Sequence, residues 1–181
     1  MQRSEALDLV KANVTNKNLI KHMIATEACM AELARHLGED AEIWALTGLL
    51  HDIDYDQTVN DPGNHARIAA TILKPYKLGE QILYAIQAHP GHVPAQARLD
   101  WALYSVDPLT GLIVAACLMH PTKKLAALDV DFVMRRFKEK RFAAGANRDQ
   151  IAKCQELGLT LEEFTSICLR AMQQVNVELE L

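Results

Sequence analysis

Apolar residues recur along this chain at the three- and four-residue spacing of amphipathic helices, in segments separated by short polar or Gly/Pro-containing runs. No segment shows the sustained alternation of β-branched residues that a half-buried strand requires. Only 6% of the residues are aromatic, and the abundant Ala, Leu, Glu, Lys and Gln are helix formers. The pattern predicts an all-α fold, a single bundle of about seven to nine helices.

Several helix boundaries can be assigned from the sequence. Gly38 suits the position after a helix end, Ser4 is a candidate N-cap, and Thr160 with Glu163 fits a capping box. The predicted helices are 4–13, 18–37, 41–50, 64–73, 78–88, 99–119, 130–141, 148–157 and 161–175. Pro108 lacks a backbone donor, so we expect a kink or a break in the apolar segment 99–119. A strong bend would displace the adjacent Asp107 and weaken a metal site there, or equally open the pocket.

Charge and cysteine content limit the partners and the compartment. The net charge of −4 argues against a domain that binds nucleic acid broadly, DNA included, but allows a small anionic substrate. The four cysteines form no CxxC pair and are expected to be small hydrophobes in a reducing compartment. The N-terminus has no signal-peptide core and the apolar run 109–119 is too short to span a bilayer. We therefore expect a cytoplasmic protein without a membrane partner.

Four polar residues lie where apolar ones would be expected. His22 lies inside an apolar helix, His51 and Asp52 follow another, and Asp107 interrupts the most hydrophobic run. Burying an unpaired carboxylate is costly, and imidazoles with carboxylates are suitable ligands for a divalent transition metal. Taken singly, however, a core histidine usually donates to a carbonyl and a lone aspartate usually caps a helix. The spacing matches no compact motif such as HExxH.

The ordered set His22, Leu49-Leu50-His51-Asp52 and Asp107 resembles the H…HD…D signature of the HD superfamily of metal-dependent phosphohydrolases. The run Leu50-His51-Asp52-Ile53-Asp54-Tyr55 is similar to the small, single-domain HDIG-type branch, and the tail from Lys123 through Arg148 is similar as well. The resemblance implies one HD domain over 1–181, with a metal-binding core at 18–120 and a C-terminal helical extension at 121–181. It implies a first metal held by His22, His51, Asp52 and Asp107.

The resemblance further implies a second metal, because dinuclear members use histidines from the regions of His65 and His89, with the HD aspartate Asp52 bridging. The alternative is that His65 and His89 are merely solvated near a helix start and in a loop. His92 is ambiguous, either a ligand or a substrate group. Asp54 and Asp56 either orient ligand histidines or keep their turn polar.

The implied reaction is the cleavage of a phosphate ester of a small molecule, with a nucleotide as the first candidate, by a metal-activated hydroxide, with Asp52 and His51 as catalytic residues. Iron or manganese is favoured, and zinc, nickel, cobalt or magnesium would also suit the ligands. Candidates for binding the phosphate are Lys123, Lys124, Arg67 and His92. The two lysines could equally be solvent-exposed residues at the start of a helix. The basic stretch 135–141 is more consistent with a solvated helix face than with a nucleotide or RNA contact.

Two rival functions and one assembly state stay open. The first rival is a non-catalytic metal- or nucleotide-binding HD module, and the second is a di-iron oxygenase, because a minority of HD proteins have that activity. Oxygen-dependent turnover with iron would identify the oxygenase, and failure to bind metal would identify a degenerate module. The apolar C-terminal helices leave a homodimer open.

Overall fold

The computed structural model describes residues 1–181 and contains helices without any strand, which confirms the all-α prediction. The α-helices are α1 (Arg3–Asn13), α2 (Lys17–Leu37), α3 (Ala41–Leu50), α4 (Tyr55–Thr58), α5 (Arg67–Leu73), α6 (Glu80–Ala88), α7 (Arg98–Met119), α8 (Val130–Lys138), α9 (Arg148–Ala152), α10 (Leu161–Gln174) and α11 (Asn176–Leu179). Three short 3₁₀ segments cover Lys74–Tyr76, Leu125–Ala127 and Lys153–Leu157. Three of the α-helices, α4, α9 and α11, are single turns, so longer helices form the bundle.

Side-chain caps explain where five of the eleven α-helices begin. Asn16 accepts hydrogen bonds from the first backbone N–H groups of α2, and Asp40 does the same for α3. Thr160 and Glu163 form the predicted capping box of α10, and Gly38 follows α2 with a left-handed φ of 74°. The N-cap prediction for Ser4 is wrong, because α1 begins one residue earlier and has no side-chain cap.

The central helix α7 runs without interruption through Pro108, so the predicted break is wrong. Proline costs one backbone hydrogen bond in a helix interior. The Thr110 hydroxyl donates to the Asp107 carbonyl over 2.9 Å, which does not replace the bond that Pro108 cannot make to the carbonyl of Tyr104. Buried residues occur along the whole length of α7, and this packing offsets the cost of Pro108.

By length and composition α7 could also cross a membrane, but 56% of its most apolar window is buried inside the domain, as expected of a core helix.

The hairpin of α2 and α3 forms the most extensive contact between two elements, and it contains a close approach at Gly48. At Gly48 a Cβ atom would lie 2.9 Å from the carbonyl carbon of Thr26, so only glycine fits this crossing. Gly48 lies one turn before His51, and Thr26 lies one turn after His22. The close crossing therefore brings the two histidines to the same end of the hairpin.

The C-terminal helices belong to the same core as the rest of the chain. Buried side chains form one connected cluster that extends from Ala6 in α1 to Leu179 in α11. Within it α10 packs on α2, and α8 and α9 pack on α7. All four cysteines are buried and unpaired, as their sequence context predicts.

Candidate metal centre

Six side chains converge where several helices end. His22 extends from α2 and Asp107 from α7, whereas His51 and His89 are the residues at which α3 and α6 terminate. The others, Asp52 and His65, lie in the segment that links α3 to α5. His65 does not open a helix as predicted, because the chain turns through Ala66 with φ 64° before α5 begins.

Three of these residues form a first cluster, which we call the first half-site. The Nε2 atom of His22 lies 3.1 Å from Asp107 Oδ1 and 3.2 Å from His51 Nε2. His51 Nε2 lies 3.9 Å from the same carboxylate oxygen. The three groups are thus close enough to share one metal ion.

The second half-site consists of His65 and His89, whose Nε2 atoms are 3.0 Å apart. Asp52 faces both half-sites with different oxygens. Its Oδ1 lies 3.2 Å from His65 Nε2 and 3.5 Å from His89 Nε2, and its Oδ2 lies 3.5 Å from His51 Nε2 and 3.7 Å from His22 Nε2. This placement is that of a carboxylate able to bridge two ions.

In the first half-site the distal nitrogens are held by uncharged groups. His51 Nδ1 lies 2.8 Å from the carbonyl oxygen of Gly48 and must donate to it. His22 Nδ1 lies 2.9 Å from the hydroxyl of Thr110, which uses its own proton on the Asp107 carbonyl. Both rings therefore carry a proton on Nδ1 and turn Nε2 toward the centre.

In the second half-site one distal partner is charged. His65 Nδ1 donates to Asp54 Oδ1 over 2.9 Å, and the second oxygen of this fully buried carboxylate accepts the Ala69 backbone N–H over 2.8 Å. His89 Nδ1 donates to the Ile86 carbonyl. The two rings therefore also direct Nε2 at the centre, so all four histidines have the tautomer that metal ligation requires.

The distances between the facing Nε2 atoms indicate whether a metal ion would fit beside them. With Nδ1 protonated in each ring, neutral histidines at 3.0 and 3.2 Å would direct lone pairs at each other, which is unfavourable unless a cation lies between them. A metal ion with bonds of about 2.1 Å to two adjacent ligands holds them at about this separation. The donor set of imidazole nitrogens and carboxylate oxygens fits a divalent transition metal.

The pKa values of these residues also indicate that the centre favours a bound cation. Burial opposes ionisation of Asp52, but the neighbouring His51 and hydrogen bonds from His65 and His89 outweigh it and hold its pKa well below the usual range. Burial also disfavours a charged His65, yet its hydrogen bonds to Asp52 and Asp54 raise its pKa to about 10. Burial dominates at His51 and lowers its pKa to about 4. The carboxylates thus remain ionised and attract a cation, whether a proton or a metal.

The centre opens into a cleft of about 540 Å³. Besides the metal-centre residues, seven others line it: Asn16, Asn18, Leu19, Tyr55, Pro90, Gly111 and Gln150. No lysine or arginine is among the lining residues.

The predicted phosphate-binding residues lie elsewhere. Lys123 and Lys124 are exposed beyond the end of α7, and Arg67 is exposed at the start of α5. His92 is half-buried in the loop after α6, and its Nε2 has no hydrogen-bond partner in the protein. None of the four lines the cleft.

The sequence reasoning missed the uncharged residues of this region. Thr110 gave a usable signal, since it is a polar residue one turn after Asp107 in an apolar helix. Asn18, Tyr55 and Gln150 gave none, because they come from separate segments that only the fold brings to one cleft.

Comparison with known proteins gives a family and distant relatives. The family model described as "HD domain" matches residues 19–117, more than half of the chain and a span that contains all six converging residues. Ribonuclease Y of Desulfotalea psychrophila is 30% identical over 138 residues, which cover 74% of this chain and 26% of that protein. Ribonuclease Y of Lachnoclostridium phytofermentans is 25% identical over 169 residues, covering 91% of this chain and 32% of that protein. The chain thus spans about a third or less of these relatives, and no solved structure matches it.

Proposed function

The chain belongs to the HD-domain family, and on this premise we propose that it is a metal-dependent phosphohydrolase that cleaves a phosphate ester of a small molecule, a nucleotide being the first candidate. The observation that carries the proposal is the pair of half-sites, each with two facing Nε2 atoms, on either side of Asp52. The small single-domain HDIG-type branch remains our proposed placement within the family.

The residues have distinct roles in this proposal. His22, His51 and Asp107 would hold one ion, His65 and His89 would hold the other, and Asp52 faces both groups with its two oxygens and would be available to each. Divalent ions bound there would lower the pKa of water and polarise the phosphoryl oxygen. We assign Asp52 and His51 to catalysis as ligands, because the low pKa of the Asp52 carboxyl suits a permanent anion better than a proton acceptor. Iron or manganese is the proposed metal, since nitrogen and oxygen donors are mixed and no thiolate is present.

A second candidate substrate is RNA. Two observations favour it: the similarity to proteins named Ribonuclease Y, and a phosphodiester chemistry that the same centre could perform. The absence of basic residues from the cleft lining argues against an extended polyanion, which is why a small ester ranks first.

Compartment and assembly remain proposals as well. Four buried, unpaired cysteines fit a reducing compartment, so we propose the cytoplasm. A homodimer through the C-terminal helices stays a prediction.

Elemental analysis combined with hydrolysis assays tests the function. The protein, purified without chelator or histidine tag, should contain close to two iron or manganese ions per chain. It should hydrolyse p-nitrophenyl phosphate or nucleotides in proportion to its metal content. The variant His36→Ala, which alters an exposed histidine outside the centre, is the matched control and should behave as the wild type.

Three other outcomes would favour the rival functions. Absence of metal after manganese addition would favour a degenerate module. Bound metal without hydrolysis of any phosphate ester would favour a non-catalytic binder. Oxygen consumption with iron would favour an oxygenase.

A further inference from the structure

The cleft above the metal centre carries ionised carboxylates and no fixed cation. Asp52 and Asp107 are the charged lining residues apart from histidines. Lys21, the nearest basic side chain by sequence to His22, lines an adjoining groove that shares His22 with the cleft, and its ammonium group forms an ion pair with Glu180. Lys17 is exposed at the start of α2 and does not line the cleft. Once the histidines are neutral metal ligands, positive charge in the cleft would come from the bound metal ions.

We propose that the cleft accepts a substrate with a single phosphate group, a nucleoside monophosphate or similar phosphomonoester, and discriminates against ligands with a second phosphate. The inference rests on the proposed function and specifies its substrate class. With two divalent ions, Asp52 and Asp107 leave a net charge of about +2, which a phosphomonoester of about −2 neutralises. A second phosphate would enter a cleft with no lysine or arginine to receive it.

The rest of the lining fits an uncharged organic group. The backbone N–H groups of Asn18 and Gln150 donate to the side chains of the N-cap residues that precede them, and the side-chain amides of Asn18 and Gln150 have no partner in the protein. Tyr55 is 41% exposed, and its ring stands edge-on to His65 with the centroids 5.6 Å apart. Two free amides and an aromatic ring beside a phosphate site are the contacts that a nucleobase or another planar polar group would use.

The test compares adenosine 5′-monophosphate with adenosine 3′,5′-bisphosphate on the full, manganese-loaded chain. Binding is measured by rapid calorimetric titration, and hydrolysis is followed separately in the same samples. The monophosphate should bind roughly tenfold more tightly, because the second phosphate of the other ligand finds no lysine or arginine in the cleft and adds negative charge to a centre that the first phosphate already neutralises. Gln150→Lys adds a cation to the cleft and should raise the affinity for the bisphosphate alone by a similar factor. Gln150→Met, which removes the amide without adding charge, should not.

The outcomes separate this inference from the proposed function. Equal or tighter binding of the bisphosphate by the wild-type chain would overturn the single-phosphate inference, even if hydrolysis occurred. Failure of either ligand to bind would also overturn it. Preferential binding of the monophosphate without hydrolysis of any ester would support it and refute the hydrolase.

Discussion

The two half-sites use the same ligand chemistry but are built differently. The first takes His22 and Asp107 from within the long helices α2 and α7, and His51 from the end of α3. The second takes His65 from a turn and His89 from the end of α6. Helices that are packed along their length fix side chains more firmly than turns do. The first half-site is therefore the more rigid of the two.

The hydrogen-bond partners of the histidine Nδ1 atoms differ in the opposite sense, because the stronger partner is in the second half-site. His22 and His51 are oriented by a hydroxyl and a carbonyl, whereas His65 is oriented by the ionised carboxylate of Asp54. A carboxylate makes the stronger hydrogen bond and increases the basicity of the ring. The comparison suggests that packing maintains the first half-site and that a charge-assisted contact compensates for the weaker scaffold of the second.

Removing the residue shared by both half-sites should have the largest effect. Asp52→Ala takes one oxygen from each ion, so metal content should fall toward zero. Hydrolysis should fall roughly a thousandfold or more, since metal ions contribute several kcal/mol to the transition state. Elemental analysis and steady-state rates measure both effects, with the exposed Asp8→Ala as the control. Full activity in Asp52→Ala would refute the site assignment.

Removing one ligand of the second half-site should show how many metal ions each half-site holds. His65→Ala should lower the content toward one ion per chain, because His22, His51, Asp107 and one Asp52 oxygen remain for the first. The reciprocal variant His22→Ala should lose more metal if the second half-site depends on the first. Elemental analysis counts the ions. An unchanged content in His65→Ala would mean that the centre is mononuclear.

The sequence predicted the fold and the six converging residues for identifiable reasons. Helical periodicity and caps are local, so the all-α class, the capping box of Thr160 and Glu163 and the role of Gly38 could be predicted. Histidines and aspartates in apolar surroundings stand out in any sequence, and their order matched a family signature.

The sequence did not predict features that depend on long-range packing. Pro108 continues a helix because α7 is buried along its length, which the local rule for proline does not include. Lys123 and Lys124 follow Asp107 in the chain but lie beyond the far end of α7 and do not line the cleft, so proximity in sequence did not predict proximity in the fold. For Asp54, the sequence left open whether it orients a histidine or only keeps a turn polar, and the structure places it against His65.

The groups behind the ligands give a direct comparison of the half-sites. Asp54→Asn keeps the size of the side chain but removes the charge behind His65, so metal affinity of the second half-site should fall about 10–100-fold. Thr110→Val removes the hydroxyl behind His22 and should cost less, because that contact is uncharged. Calorimetric manganese titrations of the two variants measure the difference. A larger loss in Thr110→Val would contradict the proposed contrast.

The close crossing of α2 and α3 tests whether packing maintains the first half-site. Gly48→Ala places a methyl group against the Thr26 carbonyl and should lower the free energy of unfolding by about 1–3 kcal/mol. It should also weaken the site that contains His22 and His51. Gly111→Ala is the control, since nothing lies within 4 Å of its added Cβ. Thermal unfolding and metal titration measure the two effects, and a Gly48→Ala protein as stable as the Gly111→Ala protein would show that the crossing is not tight.

The smallest expected effect concerns a contact that joins α4 to the segment just before α2. Asp56 in α4, close to Asp54, accepts hydrogen bonds from the Thr15 N–H and hydroxyl at 2.7 and 2.8 Å, just before α2. These bonds lower the pKa of Asp56, so their stabilisation is complete above the ordinary carboxyl pKa and is lost as pH falls through the lower folded-state value. Asp56→Asn should therefore reduce stability by about 1 kcal/mol or less at neutral pH and by progressively less in acid, because the contact is solvent-screened. Urea unfolding between about pH 7 and pH 3, with Asp8→Asn as the charge control, measures this convergence. A difference between wild type and Asp56→Asn that stays constant over this range would show that ionised Asp56 does not hold α4 to the start of α2.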